Sequence, residues 1–278
     1  MGRLETMLLF MRNFHLNRIL AIIFLFLVFL FMVLPIIVIL PISLSSSRFI
    51  TFPPKDLSVQ WFLEYFTNRE WLDATFTTIK VALLSTTIAI FLGVPAAYGI
   101  HRSRFRGKRL ITTFMIFPMI MPSIIFAIGI YYYFSNLQII DTVLGLVIAH
   151  TILSLPLVII IILANLRELD QSLEYAAQNL GASPMVTFIK VTLPLIKSGL
   201  IASGLLSFAT SFDEIVVSIF LCNVNAVTLP KKMWDGIRFG LNPTITVASV
   251  LFIFTAFAIL VGIRIFGAKN EKINVYHE

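Results

Sequence analysis

Long apolar runs alternate with short polar ones along the chain. A helix needs about 20 apolar residues to cross the ~30 Å hydrocarbon core of a bilayer. Six stretches reach that length: Ile19–Ile42, Thr75–Ile100, Leu110–Phe134, Val143–Leu163, Leu200–Leu221 and Ile245–Phe266. The pattern predicts an all-α polytopic membrane protein with six transmembrane helices. Segments of about ten residues with alternating polarity, the mark of a membrane barrel, are absent from the sequence.

One interruption has structure of its own. Between the fourth and fifth runs lies EYAAQNLGASPMVTFIKVTLP, Glu174 to Pro194. Leu173, Ala176, Ala177 and Leu180 repeat at helical spacing, with Asp170 or Ser172 placed to cap the start and Gly181 to follow the end. Ser183 then suits an N-cap with Pro184 at the first helical position, and Met185, Phe188, Ile189 and Thr192 repeat the spacing. Both helices are too short to span and too apolar on one face to stand free. Two readings fit them: folding back on neighbouring span ends, or docking a partner outside the membrane.

Composition and charge sharpen the outline. The 278 residues are 58% hydrophobic and 13% charged, more apolar than a soluble domain of this size accommodates. The first run is too long for a secretory h-region and no small-residue cleavage site follows it, so it is read as a retained span. The N-terminal segment, the Arg102–Arg109 loop, the Arg167–Lys197 loop and the C-terminal end carry 14 of the 21 Lys and Arg. By the positive-inside rule both termini and those two loops are cytoplasmic, although Lys231, Lys232 and Arg238 run against the trend. The net charge of +7 follows from this topology and needs no nucleic acid. Ser45 to Asp73 is a longer outside segment with an amphipathic piece, Leu57–Phe66, suited either to the membrane surface or to packing on the spans. Tyr131, Tyr132 and Tyr133 fit an interfacial aromatic belt. Pro35, Pro41, Pro95, Pro118, Pro122 and Pro156 lie in or near spans, where each removes a helical hydrogen bond. Cys222 is the only cysteine, so no disulfide framework or cysteine metal site arises, and His15, His101, His150 and His277 are scattered. His150, inside a span, reads as a hydrogen-bonded packing residue.

Asp213 and Glu214 are adjacent acids inside the fifth run. A mid-membrane charge costs about 2.5–3.5 kcal/mol even on the lenient insertion scale, so each needs a partner or water. On one continuous helix Ser203, Ser207, Ser211, Glu214 and Ser218 form a polar stripe, with Asp213 and Thr210 beside it. The acids either hold a neighbouring helix or line a cation path. Glu214, sharing the stripe, is the first candidate for the path, with Asp213, Ser207, Ser211 and Ser218; Asp213, beside the stripe, is alternatively a brace.

The Glu174–Pro194 stretch resembles the cytoplasmic loop of ABC-importer permeases, patterned Glu-Ala-Ala, three residues, Gly, nine residues, Ile-x-Leu-Pro. Ala176, Ala177, Gly181, Val191, Leu193 and Pro194 fall in register; Tyr175 takes the position of the pattern's Glu, with Glu174 one residue earlier. Ser211–Leu221 and Leu229–Ile245 resemble the spermidine/putrescine class. The resemblance implies a type I permease fold over residues 75–267, with five helices and the coupling loop 167–197. Residues 1–74 would add a cytoplasmic tail, a first span and an external segment, and 268–278 a cytoplasmic tail. Glu174, Ala176, Ala177, Gly181, Leu193 and Pro194 would form the ATPase-coupling loop. The implied partners are a cytoplasmic ABC ATPase dimer, a second, paralogous permease chain, an extracytoplasmic solute-binding protein and membrane lipid, in a bacterial inner membrane. ATP and Mg would sit on the partner ATPase and no cofactor on this chain. No phosphate-cradling loop is present, since Gly107-Lys108 is followed by Arg109. The implied substrate is a small organic cation, spermidine or putrescine. The alternatives are a related importer for another small solute, or a self-sufficient channel or ion-driven transporter, whose usual inverted repeat is not apparent.

Overall fold

The computed structural model describes residues 2–240 and 242–267. The expected tail 268–278, with His277, lies outside the described residues, and so do the side chains of Arg3, Arg12 and His15. Apart from connecting segments and an isolated antiparallel bridge between Ser45 and Leu57, the described residues are helical.

The helices are α1 (Gly2–Ser43), α2 (Gln60–Thr67), α3 (Arg69–Arg102), α4 (Lys108–Ile120), α5 (Ser123–Asn136) and α6 (Val143–Glu168). After the short α7 (Ser172–Asn179) and α8 (Pro184–Leu195) come α9 (Lys197–Phe212), α10 (Val216–Leu221), α11 (Leu229–Phe239) and α12 (Thr244–Gly267). By length and apolarity α1, α3, α6 and α12 can each cross a membrane, and two bent pairs, α4 with α5 and α8 with α9, bring the crossings to six if each pair is one span.

Two compact units divide the chain. Residues 1–64 and 241–253 form one. Over residues 20–32 its α1 is exposed all round, Phe24, Phe29 and Phe31 included. Such a surface is stable only in hydrocarbon or against another apolar surface. Trp61 of α2 is buried while Leu63 is 62% exposed, so the amphipathic piece packs through one edge and leaves the other open.

Among the described residues, 65–240 and 254–267 form the second unit. α3 and α6 run parallel and α9 antiparallel to both. Ala89, Val94, Ala97 and Ile100 of α3 pack with Val158, Ile159, Ile162 and Leu166 of α6, and Ile196 closes the cluster. A second cluster near the opposite end joins Val81, Phe126, Phe134, Leu146, Val147, Val217 and Leu221. At Gly199 a Cβ would come within 2.4 Å of Asn165, so glycine sets how closely α9 approaches α6.

Two expected spans are not single helices. The Leu110–Phe134 run breaks at Met121-Pro122, where α4 and α5 bend by 100°. Proline lacks the N–H that would continue the ladder, and it forces Met121 into extended conformation, ψ 137°. The Leu200–Leu221 run breaks at Asp213–Ile215, separating α9 from α10. The stripe drawn on one continuous helix therefore does not exist. Ser203, Ser207 and Ser211 are buried on α9, and Ser218 is buried on α10.

Candidate functional site

The loop after α6 folds as the two helices expected, and the turn between them is a complete Schellman motif. Gly181 N donates to Gln178 O (2.9 Å) and Ala182 N to Ala177 O (3.1 Å), with Gly181 left-handed at φ +90°. Ser183 Oγ accepts from Val186 N at 3.3 Å, capping α8 above Pro184. α8 then widens into a π-turn over Phe188–Thr192, Leu193 N reaching back to Phe188 O. Pro194 has no N–H for the Lys190 carbonyl and would crowd it in a regular α-turn; the wider turn relieves that. The winding also changes which side chains point inward. Thr187 and Thr192, five apart, are buried, whereas Met185 and Ile189, expected to share a face with Thr192, are exposed.

Of the two readings of the loop, folding back on the bundle accounts for one side only: Phe188 and Leu193 pack against the α3/α6 cluster, and the outer face is left open. Leu173, Tyr175, Leu180 and Met185 remain exposed, Leu180 at 90%, as do Ala176, Gly181 and Pro194, while Ala177 and Leu193 are half-buried. Only one side chain of α7 turns fully inward. Glu174, 4% exposed, pairs with Arg102 Nη2 at the end of α3 (2.7 Å). It also accepts hydrogen bonds from Thr192 Oγ1 of α8 (2.5 Å) and from Tyr98 Oη of α3 (3.4 Å). Tyr98 packs on Phe188 with ring centres 4.7 Å apart, and the Arg102 guanidinium lies 6.0 Å from the Tyr98 ring. One carboxylate thus ties both loop helices to α3, an ionic role held by Glu174 while Tyr175, in the motif position, faces out.

A polar seam runs through the bundle interior. Ser85 of α3 donates to Ser211 of α9 (2.9 Å), and Ser211 Oγ meets His150 Nδ1 of α6 at 2.8 Å. Thr151 donates to Val147 O at 2.6 Å. His150 is a hydrogen-bonded packing residue, and among the described residues no cluster of His, Cys, Asp and Glu could hold a metal. Ser207 and Ser211 are both buried on α9.

The acids beside the seam differ from each other. Asp213 terminates α9 with its carboxylate exposed and without a hydrogen-bond or ionic partner among the described residues, so the expected brace is not seen. Glu214 is half-buried and caps α10, its Oε1 accepting from Val217 N at 2.9 Å while Ser218 Oγ donates to its carbonyl.

At that end of the unit, where α3 and α6 begin, Asp141 forms a clamp that no sequence pattern announces. Its two carboxylate oxygens accept from the backbone N–H groups of Asn223, Val224, Asn225 and Ala226 at 2.8–3.1 Å and from Asn225 Nδ2 at 2.8 Å. Burial alone would raise its pKa, but the backbone donors outweigh burial and hold the carboxyl down at about 2. Nearby, the lysines that oppose the charge rule are paired: Lys231 with Asp235 (2.5 Å) and Lys232 with Glu70.

Known proteins share this architecture. A likeness to the alginate importer of a bacterial ABC transporter covers 89% of this chain and 94% of that one, with TM-score 0.68 and 18% identity. The methionine ABC transporter MetNI matches with TM-score 0.60 and 20% identity over 71% of this chain and 94% of that one. These likenesses establish the fold. In sequence, the chain is 28% identical over 248 residues to the spermidine/putrescine transport system permease protein PotC of Haemophilus influenzae, covering 89% of this chain and 96% of the relative. It is 30% identical over 239 residues to the putrescine transport system permease protein PotI of Escherichia coli, covering 84% and 85%. A probable molybdenum ABC transporter permease of Haloferax volcanii is 29% identical over 203 residues, covering 70% and 75%. Residues 86–269 match the family described as binding-protein-dependent transport system inner membrane component. With that match spanning the helical bundle and its braced loop, the chain belongs to this family and is a multi-pass membrane permease subunit of an ABC importer.

Proposed function

We propose that this subunit forms part of the path for a small organic cation, spermidine or putrescine. The observation that carries the reading is Asp213, an exposed carboxylate at a helix break within an apolar run, with the half-buried Glu214 beside it. A carboxylate there is tolerable where water or a passing ammonium group offsets its desolvation. The likeness to two polyamine permeases over most of the chain supports the same class. We assign the path-facing role first to Asp213, whose side chain is exposed, since Glu214 is engaged in capping α10. Ser211 is engaged in the helix contact with Ser85 and His150.

The exposed face of α7 and the Gly181 turn is where a cytoplasmic ABC ATPase dimer docks, with ATP and Mg on that partner. The 102–109 loop and both termini are then cytoplasmic in a bacterial inner membrane. A paralogous permease supplies the other wall of the path, and an extracytoplasmic binding protein delivers the solute. The alginate importer of like fold was solved with its periplasmic protein, in keeping with such an assembly. ATP closure would draw the coupling loops together and rock the bundles. The test is uptake of radiolabelled putrescine and spermidine by the reconstituted complex, with and without ATP. ATP-dependent uptake of either supports the reading. Uptake without ATP would favour a self-sufficient channel, and uptake of an anion alone would reject the substrate class.

A further inference from the structure

A cavity of about 440 Å³ opens between the ends of α3 and α6 and the start of α4. Lys108, Arg109, Arg167 and His101 line its polar side, Ile100, Ile116 and Leu163 its apolar side, and none of its lining residues is acidic. Lys108 is held in place by the carbonyls of His101 (3.4 Å) and Ser103 (3.3 Å). Arg109 and Arg167 have no ionic partner among the described residues, because the nearby buried carboxylate, Glu174, is taken by Arg102. His101 Nε2 is buried without a hydrogen-bond partner.

The polarity is graded along the bundle. Basic groups cluster at the helix ends, and Ile116, about 10 Å further along α4 at ~1.5 Å per residue, belongs to the apolar wall. Leu110, Ile111, Phe114 and Phe117 on the same helix are exposed, an apolar surface suited to hydrocarbon or to another apolar surface. A free anion would use the basic groups and gain nothing from the apolar wall. An acidic protein surface would meet a concave, largely apolar cleft. A phosphodiester with an acyl chain fits both parts.

We propose that this cavity binds the headgroup and first acyl segment of an anionic phospholipid, with Arg109 and Arg167 holding the phosphate and Ile100, Ile116 and Leu163 the chain. Each basic residue near an anionic lipid is worth a factor of about five in binding, so loss of both arginines should reduce retention by at least about tenfold.

The test uses the assembled transporter in nanodiscs of phosphatidylcholine doped with phosphatidylglycerol, released into detergent and read by native mass spectrometry. The complex should retain phosphatidylglycerol in preference to phosphatidylcholine. Arg109→Gln combined with Arg167→Gln should lose that preference with the assembly intact by size-exclusion chromatography. Ile116→Trp, which fills the apolar wall and keeps every charge, should also reduce retention. Inorganic phosphate at millimolar concentration should compete poorly. Equal retention of the two lipids, or unchanged retention in both variants, overturns the proposal. Ready displacement by inorganic phosphate with no effect of Ile116→Trp would make this a free-anion site. Loss of the ATPase from the arginine variant without change in bound lipid would make it a partner surface.

Discussion

Glu174 of α7 and Arg102 at the end of α3 meet at 2.7 Å, although long stretches of α4, α5 and α6 separate them in sequence. Arg102→Ala would strand a carboxylate that is 4% exposed, and breaking one partner of such a pair costs about 3–5 kcal/mol. The expected result is a lower unfolding temperature and ATP hydrolysis that no longer drives uptake. Arg102→Glu combined with Glu174→Arg should recover part of both. Thermal unfolding and the ratio of solute moved to ATP consumed measure this; an unchanged ratio in Arg102→Ala would show that the pair transmits nothing.

Gly181 has open space around a would-be Cβ, so its constraint is conformational, not steric crowding. At φ +90° a β-branched residue is strained by about 1–2 kcal/mol, while Asn tolerates the left-handed region better. Gly181→Val should weaken co-purification of the ATPase, and Gly181→Asn should largely preserve it. Equal co-purification of both variants would mean the turn's shape is not what the ATPase reads. Gly181→Asp, which adds charge as well, should leave the protein in the membrane and uncouple hydrolysis from uptake.

The two acids at the α9–α10 break should separate in transport assays. Asp213→Asn removes the exposed carboxylate and should cut putrescine uptake at least about tenfold, the scale of a lost charge–ammonium contact, with assembly intact. Glu214→Gln keeps an oxygen to cap Val217 N, and its uptake loss should be smaller. Glu214→Ala removes the cap and should lower the amount of assembled complex. The reverse ranking of Asp213→Asn and Glu214→Gln would return the path to Glu214.

Asp141 makes the loop 222–226 sensitive to acid. Its folded pKa, about 2, lies below the ordinary ~3.9 of an unfolded aspartate. A depressed carboxyl contributes stability that is fully present above the unfolded value and lost as pH falls from about 4 through 2. Asp141→Ala should give the exposed loop at neutral pH. Hydrogen exchange at Asn223–Ala226 reads this directly, and unchanged protection in Asp141→Ala would remove the clamp.

Much of this was legible in the sequence. α1, α3, α6 and α12 follow from unbroken apolar length, which hydropathy measures well. Gly181, Ser183 and Pro184 announce the turn because each satisfies a local backbone need. The breaks at Met121-Pro122 and Asp213–Ile215 escaped because apolar length does not register a change of direction. Pro122 was the available signal for the first, and an acid three residues ahead of Val217, placed to cap a new helix, for the second. Arg102–Glu174 and the Asp141 clamp pair groups brought together only by folding, and no local pattern encodes such partners.

The pairing of Lys231 with Asp235 and of Lys232 with Glu70 has a kinetic consequence. Matched charges cast little field beyond their own separation, and at physiological salt what remains is screened within about 8 Å. The lysines at that end therefore neither repel an arriving cation nor draw in an anion from a distance. Long-range attraction at this end falls to the unpaired Asp213, so uptake of a cation through this subunit should slow as ionic strength is raised.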